Sequence, residues 1–339
     1  MTGQLNLAFT DQINRKDRYM KNIRQTLILF IGICLLLSAC AAGKDAVETK
    51  KETDNPVEKS EAASYLPGMT GKQDAVYGNY PYEIKEIRLE SRNNKIYGKA
   101  YVPAGKGKCP LVIFAHELGV THTTGEGYAE YFASRGIAYY VFDFPGGSIS
   151  GSKSDGKTTE MSVMTEAEDL KAVAEEAQNW SFVDPERIWL HGGSQGGMVA
   201  AITATKIPGK IAGLVLAYPA FIIPDQLHKD FASLDAVPET FTYIGWINVG
   251  KIYAEDAWNY DVYNEIGAYK GPVLILHGDS DTTVPMSYSE RAKKVYQNAE
   301  LDVIRGGGHE FFNDAFNQAC VRMERFFQQH GLIQADKTD

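Results

Sequence analysis

Arg187-Ile-Trp-Leu-His191-Gly-Gly-Ser194-Gln-Gly-Gly197 is the stretch on which the fold turns. Arg187 to His191 is a short apolar run of strand type, and Gly196 to Thr205 continues as a helix. Between them, Gly192-Gly193-Ser194-Gln195-Gly196 fits G-x-S-x-G in a strand–turn–helix setting, the pattern of a nucleophile elbow. Glycines flank such a serine because the sharp turn brings backbone segments too close for side chains. The turn holds the hydroxyl proud of the sheet and aims the N–H of Gln195 at the place where an oxyanion would form.

Outward from this elbow, buried strands alternate with helices. Pro110 to Ala115 (PLVIFA), Ile137 to Phe144 (IAYYVFDF), Ile211 to Ala217 and Val273 to His277 (VLILH) are apolar throughout, as strands covered on both faces are. Glu300 to Ile304 supplies a last strand. Helices are expected over Gly127–Ser134, Met164–Trp180, Tyr288–Asn298 and Phe312–Gln329. Tyr82–Leu89 and Lys95–Tyr101 alternate around Asn93-Asn94 and predict an antiparallel hairpin in front. The sum is an α/β fold with a mostly parallel, doubly wound sheet. From Ala217 to Tyr269 the alternation stops and aromatics crowd in, so a small cap inserted at about 218–263 is expected over the C-terminal edge of the sheet.

A hydroxyl nucleophile needs a base, and the base needs an orienting acid. In a fold with this elbow they follow in the order Ser, acid, His. His277-Gly-Asp279-Ser-Asp281-Thr-Thr-Val-Pro285 starts at the end of a buried strand, and Gly306-Gly-Gly-His309-Glu-Phe311 follows the last one. Asp281 is the preferred acid because it lies deeper in its loop, ahead of Val284-Pro285, with Asp279 as a brace for the turn. His309 is the base. A second oxyanion N–H should come from the loop after the first buried strand, Ala115-His-Glu-Leu-Gly119, with Leu118 preferred and Glu117 second. His116, His191 and His277 read as strand-end hydrogen bonders, and His122 shows no partner in the sequence. This chemistry needs no metal and no organic cofactor.

Composition narrows the classes. The 339 residues carry a formal net charge of −9, with 44% hydrophobic and 23% charged side chains, which excludes a disordered or multi-pass membrane chain. The acidic balance argues against a nucleic-acid partner. Four cysteines, without zinc-finger spacing, are too few for a disulfide scaffold.

The N-terminus reads as an address. Lys21 and Arg24 precede the apolar run Leu27–Leu37, which is too short to span a bilayer and ends in Leu37-Ser-Ala-Cys40. This resembles a bacterial lipoprotein signal, which implies lipidation of Cys40, a membrane partner through that anchor and an extracytoplasmic location. Met20 looks like the natural start of the signal. The expected organisation is an upstream extension and signal over 1–39, a flexible tether over 40–75, a catalytic domain over 76–331 and a tail over 332–339. Cys109 and Cys320 then remain, read as two buried thiols with pairing as the other option.

With these residues placed, the chain resembles an α/β-hydrolase over roughly 82–330, and within that superfamily the cinnamoyl (feruloyl) esterases. The likeness rests on FAHELG (114–119), FDFPGG (142–147), SKSDG (152–156), SQGG (194–197), HGDSDTTVP (277–285) and GGGHEF (306–311). It implies Ser194 as nucleophile, Asp281 as acid, His309 as base, Leu118 and Gln195 as oxyanion donors, and a cap that holds an aromatic acyl group. The expected substrate is therefore a small or aromatic ester. Two positions depart from the family's usual pattern: Glu117, where glycine follows the strand-end histidine, and Gly193, where histidine precedes the nucleophile. Glu117 would either alter the approach of the oxyanion loop or place a negative charge at the mouth of the site. Two other functions stand beside the esterase: an aminopeptidase-like serine peptidase, gripping a substrate amine through Glu117, and a non-catalytic ligand-binding lipoprotein.

Overall fold

The computed structural model describes residues 80–333. The signal, Cys40 and the tether lie outside the described residues, and so does the tail beyond Ile333. Among the described residues no helix is long and apolar enough to cross a membrane.

Strands β1 (Tyr82–Ser91) and β2 (Asn94–Pro103) form the leading hairpin. Its turn is Arg92-Asn93, both at positive φ (47° and 63°), one residue earlier than the sequence suggests. Such a turn matches the twist of the paired strands, and asparagine tolerates it well. β3 (Cys109–Ala115), α1 (Glu126–Ala133), β4 (Ala138–Phe142), α2 (Val163–Ala177) and β5 (Val183–Gly193) follow. Then come α3 (Gln195–Lys206) and β6 (Gly213–Ala217), and later β9 (Val273–Gly278), α7 (Ser287–Val295), β10 (Ala299–Ile304) and α8 (Asp314–Gln329).

One sheet of eight strands results, in the order β1-β2-β4-β3-β5-β6-β9-β10. β1, β2 and β4 pair antiparallel, and every pair from β4 to β10 is parallel. The parallel strands are apolar on both faces because helices cover both. Ile113, Leu190 and Leu216 belong to one buried cluster with α2 and α3, and Val112, Trp189 and Val215 to a second with α1 and α8. Ser162 begins α2 with a reciprocal capping box to Thr165, which fixes where that helix starts.

The order of winding reverses between β3 and β5, so the loops leaving these two neighbours diverge and leave a crevice at their C-terminal ends. The stretch between β6 and β9 is more regular than its composition suggests. It holds α4 (Ile223–Asp230), the hairpin β7 (Thr240–Tyr243) and β8 (Ile247–Gly250), α5 (Lys251–Ala257) and α6 (Val262–Ile266). Phe241 and Tyr243 alternate inward along β7, a strand pattern that the surrounding aromatics mask in the sequence.

Candidate active site

Ser194 sits between β5 and α3 with φ 50° and ψ −117°, a conformation strained for any residue but glycine. Surrounding bonds hold it there: its N–H donates to Ala217 O at 3.0 Å, and its carbonyl accepts from Ala220 N at 2.8 Å. Gly196 lets α3 close on the end of β3, since a Cβ at this position would overlap the carbonyls of Ala115 and His116.

The loops after β9 and β10 converge on this serine. His309 Nε2 lies 2.8 Å from Ser194 Oγ, and His309 Nδ1 lies 2.9 Å from Asp281 Oδ2. The Asp281 side chain is 1% exposed and that of His309 is 18% exposed. Burial works to raise the Asp281 pKa, but the bond from His309 and the N–H groups of Val284 and Thr283 outweigh it and leave the carboxyl below its ordinary value. An ionised Asp281 keeps the proton on Nδ1, so Nε2 is free to accept from the serine hydroxyl.

Leu118 and Gln195 lie at the divergence point, one after β3 and one after β5. Neither backbone N–H donates to another protein group among the described residues. The loop that carries Leu118 is pinned on both sides. Gly119 N–H donates to Gly147 O at 2.7 Å, Ile149 N–H donates to Gly119 O at 3.1 Å, and the Trp246 ring covers the Cα of Gly119. Trp246 is the tip of the β7–β8 hairpin and is 49% exposed, so the insertion reaches the edge of the site.

The Gln195 side chain is buried in a network of its own. Its Nε2 donates to Glu166 Oε2 at 2.8 Å, and its Oε1 accepts from Tyr253 OH at 2.7 Å. α2, α3 and α5 are thereby joined beneath the elbow. Glu166 is fully buried, and desolvation pushes its pKa up to about 8, so the carboxyl is largely protonated at neutral pH.

The structure thus brings Ser194, Asp281, His309, Leu118 and Gln195 to one sheet edge. Asp279 is exposed and takes no part in the imidazole contact; its Oδ1 accepts from Ser280 Oγ at 3.1 Å and from Gly306 N at 2.8 Å, so it braces its own turn and ties it to the next loop. Glu117 corrects the expectation of a charge at the mouth. It is 6% exposed, with Oε1 accepting from Tyr218 OH and Oε2 from Thr124 Oγ1, each at 2.9 Å. His122, which shows no partner in the sequence, is buried, with Nδ1 2.7 Å from Asp143 Oδ1. His116 and His191 are strand-end hydrogen bonders: Phe144 N–H donates to His116 Nε2 at 3.0 Å, and Tyr139 OH pairs with His191 Nδ1. Sequence reasoning missed Tyr218, whose ring meets that of His309 edge-on at 5.0 Å, and underrated His277, whose Nε2 is 3.4 Å from Asp281 Oδ2. Cys109 and Cys320 are both buried and unpaired.

Comparisons with known proteins agree with this architecture. The family model described as the prolyl oligopeptidase family matches residues 125–331, more than half of the chain. The quorum-quenching protein AidA of Acinetobacter baumannii is 26% identical over 142 residues, 42% of this chain and 45% of that protein, so the match spans less than half of that relative's length. An uncharacterised protein of Mycobacterium tuberculosis is 26% identical over 227 residues, 66% of this chain and 72% of that one. Among solved structures, Est1E from Butyrivibrio proteoclasticus with ferulic acid bound superposes with a TM-score of 0.65 at 24% identity, covering 72% of this chain and 98% of that one. The α/β hydrolase GrgF from Penicillium sp. superposes with a TM-score of 0.60 at 17% identity, covering 73% and 99%. At these identities the structural likeness is one of fold.

Proposed function

We infer that this chain, which belongs to the prolyl oligopeptidase family, hydrolyses carboxylic esters with Ser194 as nucleophile, His309 as base and Asp281 as orienting acid. The observation that carries this reading is the 2.8 Å approach of Ser194 Oγ to His309 Nε2, with Asp281 2.9 Å from the other ring nitrogen. His309 takes the hydroxyl proton as Oγ attacks the ester carbonyl. The N–H groups of Gln195 and Leu118 hold the oxyanion. His309 then protonates the leaving alcohol, giving an acyl-enzyme on Ser194. Water, deprotonated by the same imidazole, releases the acid and restores the serine. Asp281 fixes the tautomer throughout and stabilises the imidazolium.

Small or aromatic acyl groups, of cinnamoyl or feruloyl type, are the substrates we propose. Support comes from the motif resemblance, from the fold shared with Est1E, and from the aromatic insertion whose Trp246 overhangs Gly119. The family match favours a second reading, cleavage of a small peptide. Against it, both oxygens of Glu117 are already engaged, so this carboxylate does not offer itself to a substrate amine.

The deciding experiment compares purified protein with Ser194→Ala on p-nitrophenyl acetate, p-nitrophenyl butyrate, methyl ferulate and an aminoacyl p-nitroanilide. Ester turnover lost in the variant, with methyl ferulate preferred, is the expected result. Anilide cleavage without ester preference transfers the assignment to a peptidase. Silence on every substrate leaves a binding protein. We also propose that Cys40 is lipidated and anchors the domain to a membrane surface. Metabolic labelling with a fatty acid, lost in Cys40→Ser, is the expected outcome.

A further inference from the structure

Glu117 and Gly193 meet at a single point in space. A Cβ added to Gly193 would overlap Glu117 Oε1, lie 3.0 Å from Glu117 Cδ and lie 3.1 Å from Tyr218 OH. The Gly193 backbone is not left-handed, so nothing in its conformation calls for glycine. What calls for glycine is the carboxylate parked on its Cα. The two departures from the usual pattern are therefore one exchange: the side chain missing beside the nucleophile is replaced by one reaching in from the oxyanion loop.

The position of that carboxylate ties together separate elements of the site. Glu117 is the residue before Leu118 and is 6% exposed. Oε2 is fixed by Thr124 Oγ1 from the short helical turn after this loop, and Oε1 by Tyr218 OH from the end of β6. Tyr218 has φ 38°, and its N–H is held by Leu276 O on β9. Its ring rests edge-on against His309 at 5.0 Å and Phe311 at 4.7 Å. The backbone carbonyl of Glu117 in turn accepts from His116 Nδ1 at 2.7 Å. One side chain thus spans from the oxyanion loop across the nucleophile elbow to the ring that backs the base.

We infer that Glu117 is a positioning residue: its buried carboxylate, docked on Gly193 and bonded to Tyr218, sets the Leu118 N–H and the His309 ring relative to Ser194. It acts through these groups and touches no substrate. The inference rests on the serine-hydrolase reading of the site. It also explains why Glu117 is unavailable to bind a cation, since a buried carboxylate held by two donors leaves them unsatisfied if it swings out.

A double-mutant cycle tests it on the full-length chain, with p-nitrophenyl acetate turnover and thermal midpoint both measured. Gly193→Ala in the native background should lower kcat at least tenfold, because the new methyl expels the carboxylate. In a Glu117→Gly background the same change should cost less than twofold. Glu117→Gly alone should lower kcat about tenfold with KM within twofold. Glu117→Gln, which can still meet Tyr218 and Thr124, should return most of that loss. Equal penalties for Gly193→Ala in both backgrounds would overturn the proposal. So would a Glu117→Gln as poor as Glu117→Gly, or a loss appearing only in KM. Native turnover that Ser194→Ala does not abolish would instead sink the hydrolase reading. The thermal midpoints then judge the Glu117–Gly193 contact alone, through the same non-additivity.

Discussion

His277 and His309 face the same oxygen of Asp281, at 3.4 Å and 2.9 Å respectively. His277 is fully buried; its Nδ1 lies 2.8 Å from Ser289 Oγ and its Nε2 lies 2.9 Å from Val284 O. Burial lowers its pKa, so it stays neutral. With Nε2–H donating to Val284 O, Nδ1 accepts from Ser289. His277 thereby holds the turn whose N–H groups grip Asp281 Oδ1. His277→Ala should lower kcat about tenfold, roughly 1.4 kcal/mol of barrier, with KM little changed in steady-state kinetics. A change confined to KM would count against this role.

Asp281 and Asp279 should separate sharply. Asp281→Asn leaves an amide that cannot hold the His309 tautomer, and a loss in kcat on the order of ten-thousandfold is expected from the known behaviour of such triads. Asp279→Asn removes charge from an exposed brace on Gly306 N–H and should leave kcat within about threefold. Parallel kinetics on the two variants decide the assignment.

Glu166 makes stability depend on pH. Its folded pKa, about 8, lies above its ordinary value of 4.5. Between those values the unfolded chain gives up the proton while the folded one keeps it. The contribution is therefore complete below about pH 4.5 and lost as pH rises towards 8, by several kcal/mol if no other group intervenes. Urea midpoints measured from pH 5 to 9 should fall in the native protein and flatten in Glu166→Gln. A slope identical in both would show that the network with Gln195 and Tyr253 does not hold a neutral carboxyl.

Arg92 tethers the leading hairpin to α2. Its guanidinium meets Asp169 through two bonds, Nε–Oδ1 at 3.0 Å and Nη2–Oδ2 at 2.7 Å, and the Asp169 side chain is 0% exposed. Burial holds the Asp169 pKa up even so, which shows how much this carboxylate needs its partner. Arg92→Met should destabilise the fold by about 3 kcal/mol at neutral pH, read by denaturant unfolding. Asp169→Asn should soften the penalty of Arg92→Met, because an amide can be buried without a counter-charge.

The parallel strands were legible because a strand covered on both faces has no choice but to be apolar, as PLVIFA and VLILH are. Ser194, Asp281 and His309 were legible because each stands in a turn whose local chemistry marks a strand end. What stayed hidden depends on groups far apart in sequence. The burial of Glu117 is decided by Tyr218, 101 residues away, and that of Glu166 by Gln195, 29 residues away. No local pattern distinguishes such a carboxylate from one facing solvent. The β7–β8 hairpin was missed for a different reason: its alternation spans only four residues per strand amid other aromatics.

The three side chains of the proposed triad follow β5, β9 and β10, and β10 forms one edge of the sheet. During synthesis the serine therefore leaves the ribosome more than a hundred residues before its base does. Until the final strand docks beside β9, His309 has no fixed place next to Ser194. On the proposed assignment, competence for hydrolysis therefore awaits this edge strand, and a chain truncated before Glu300 carries the proposed nucleophile without its base.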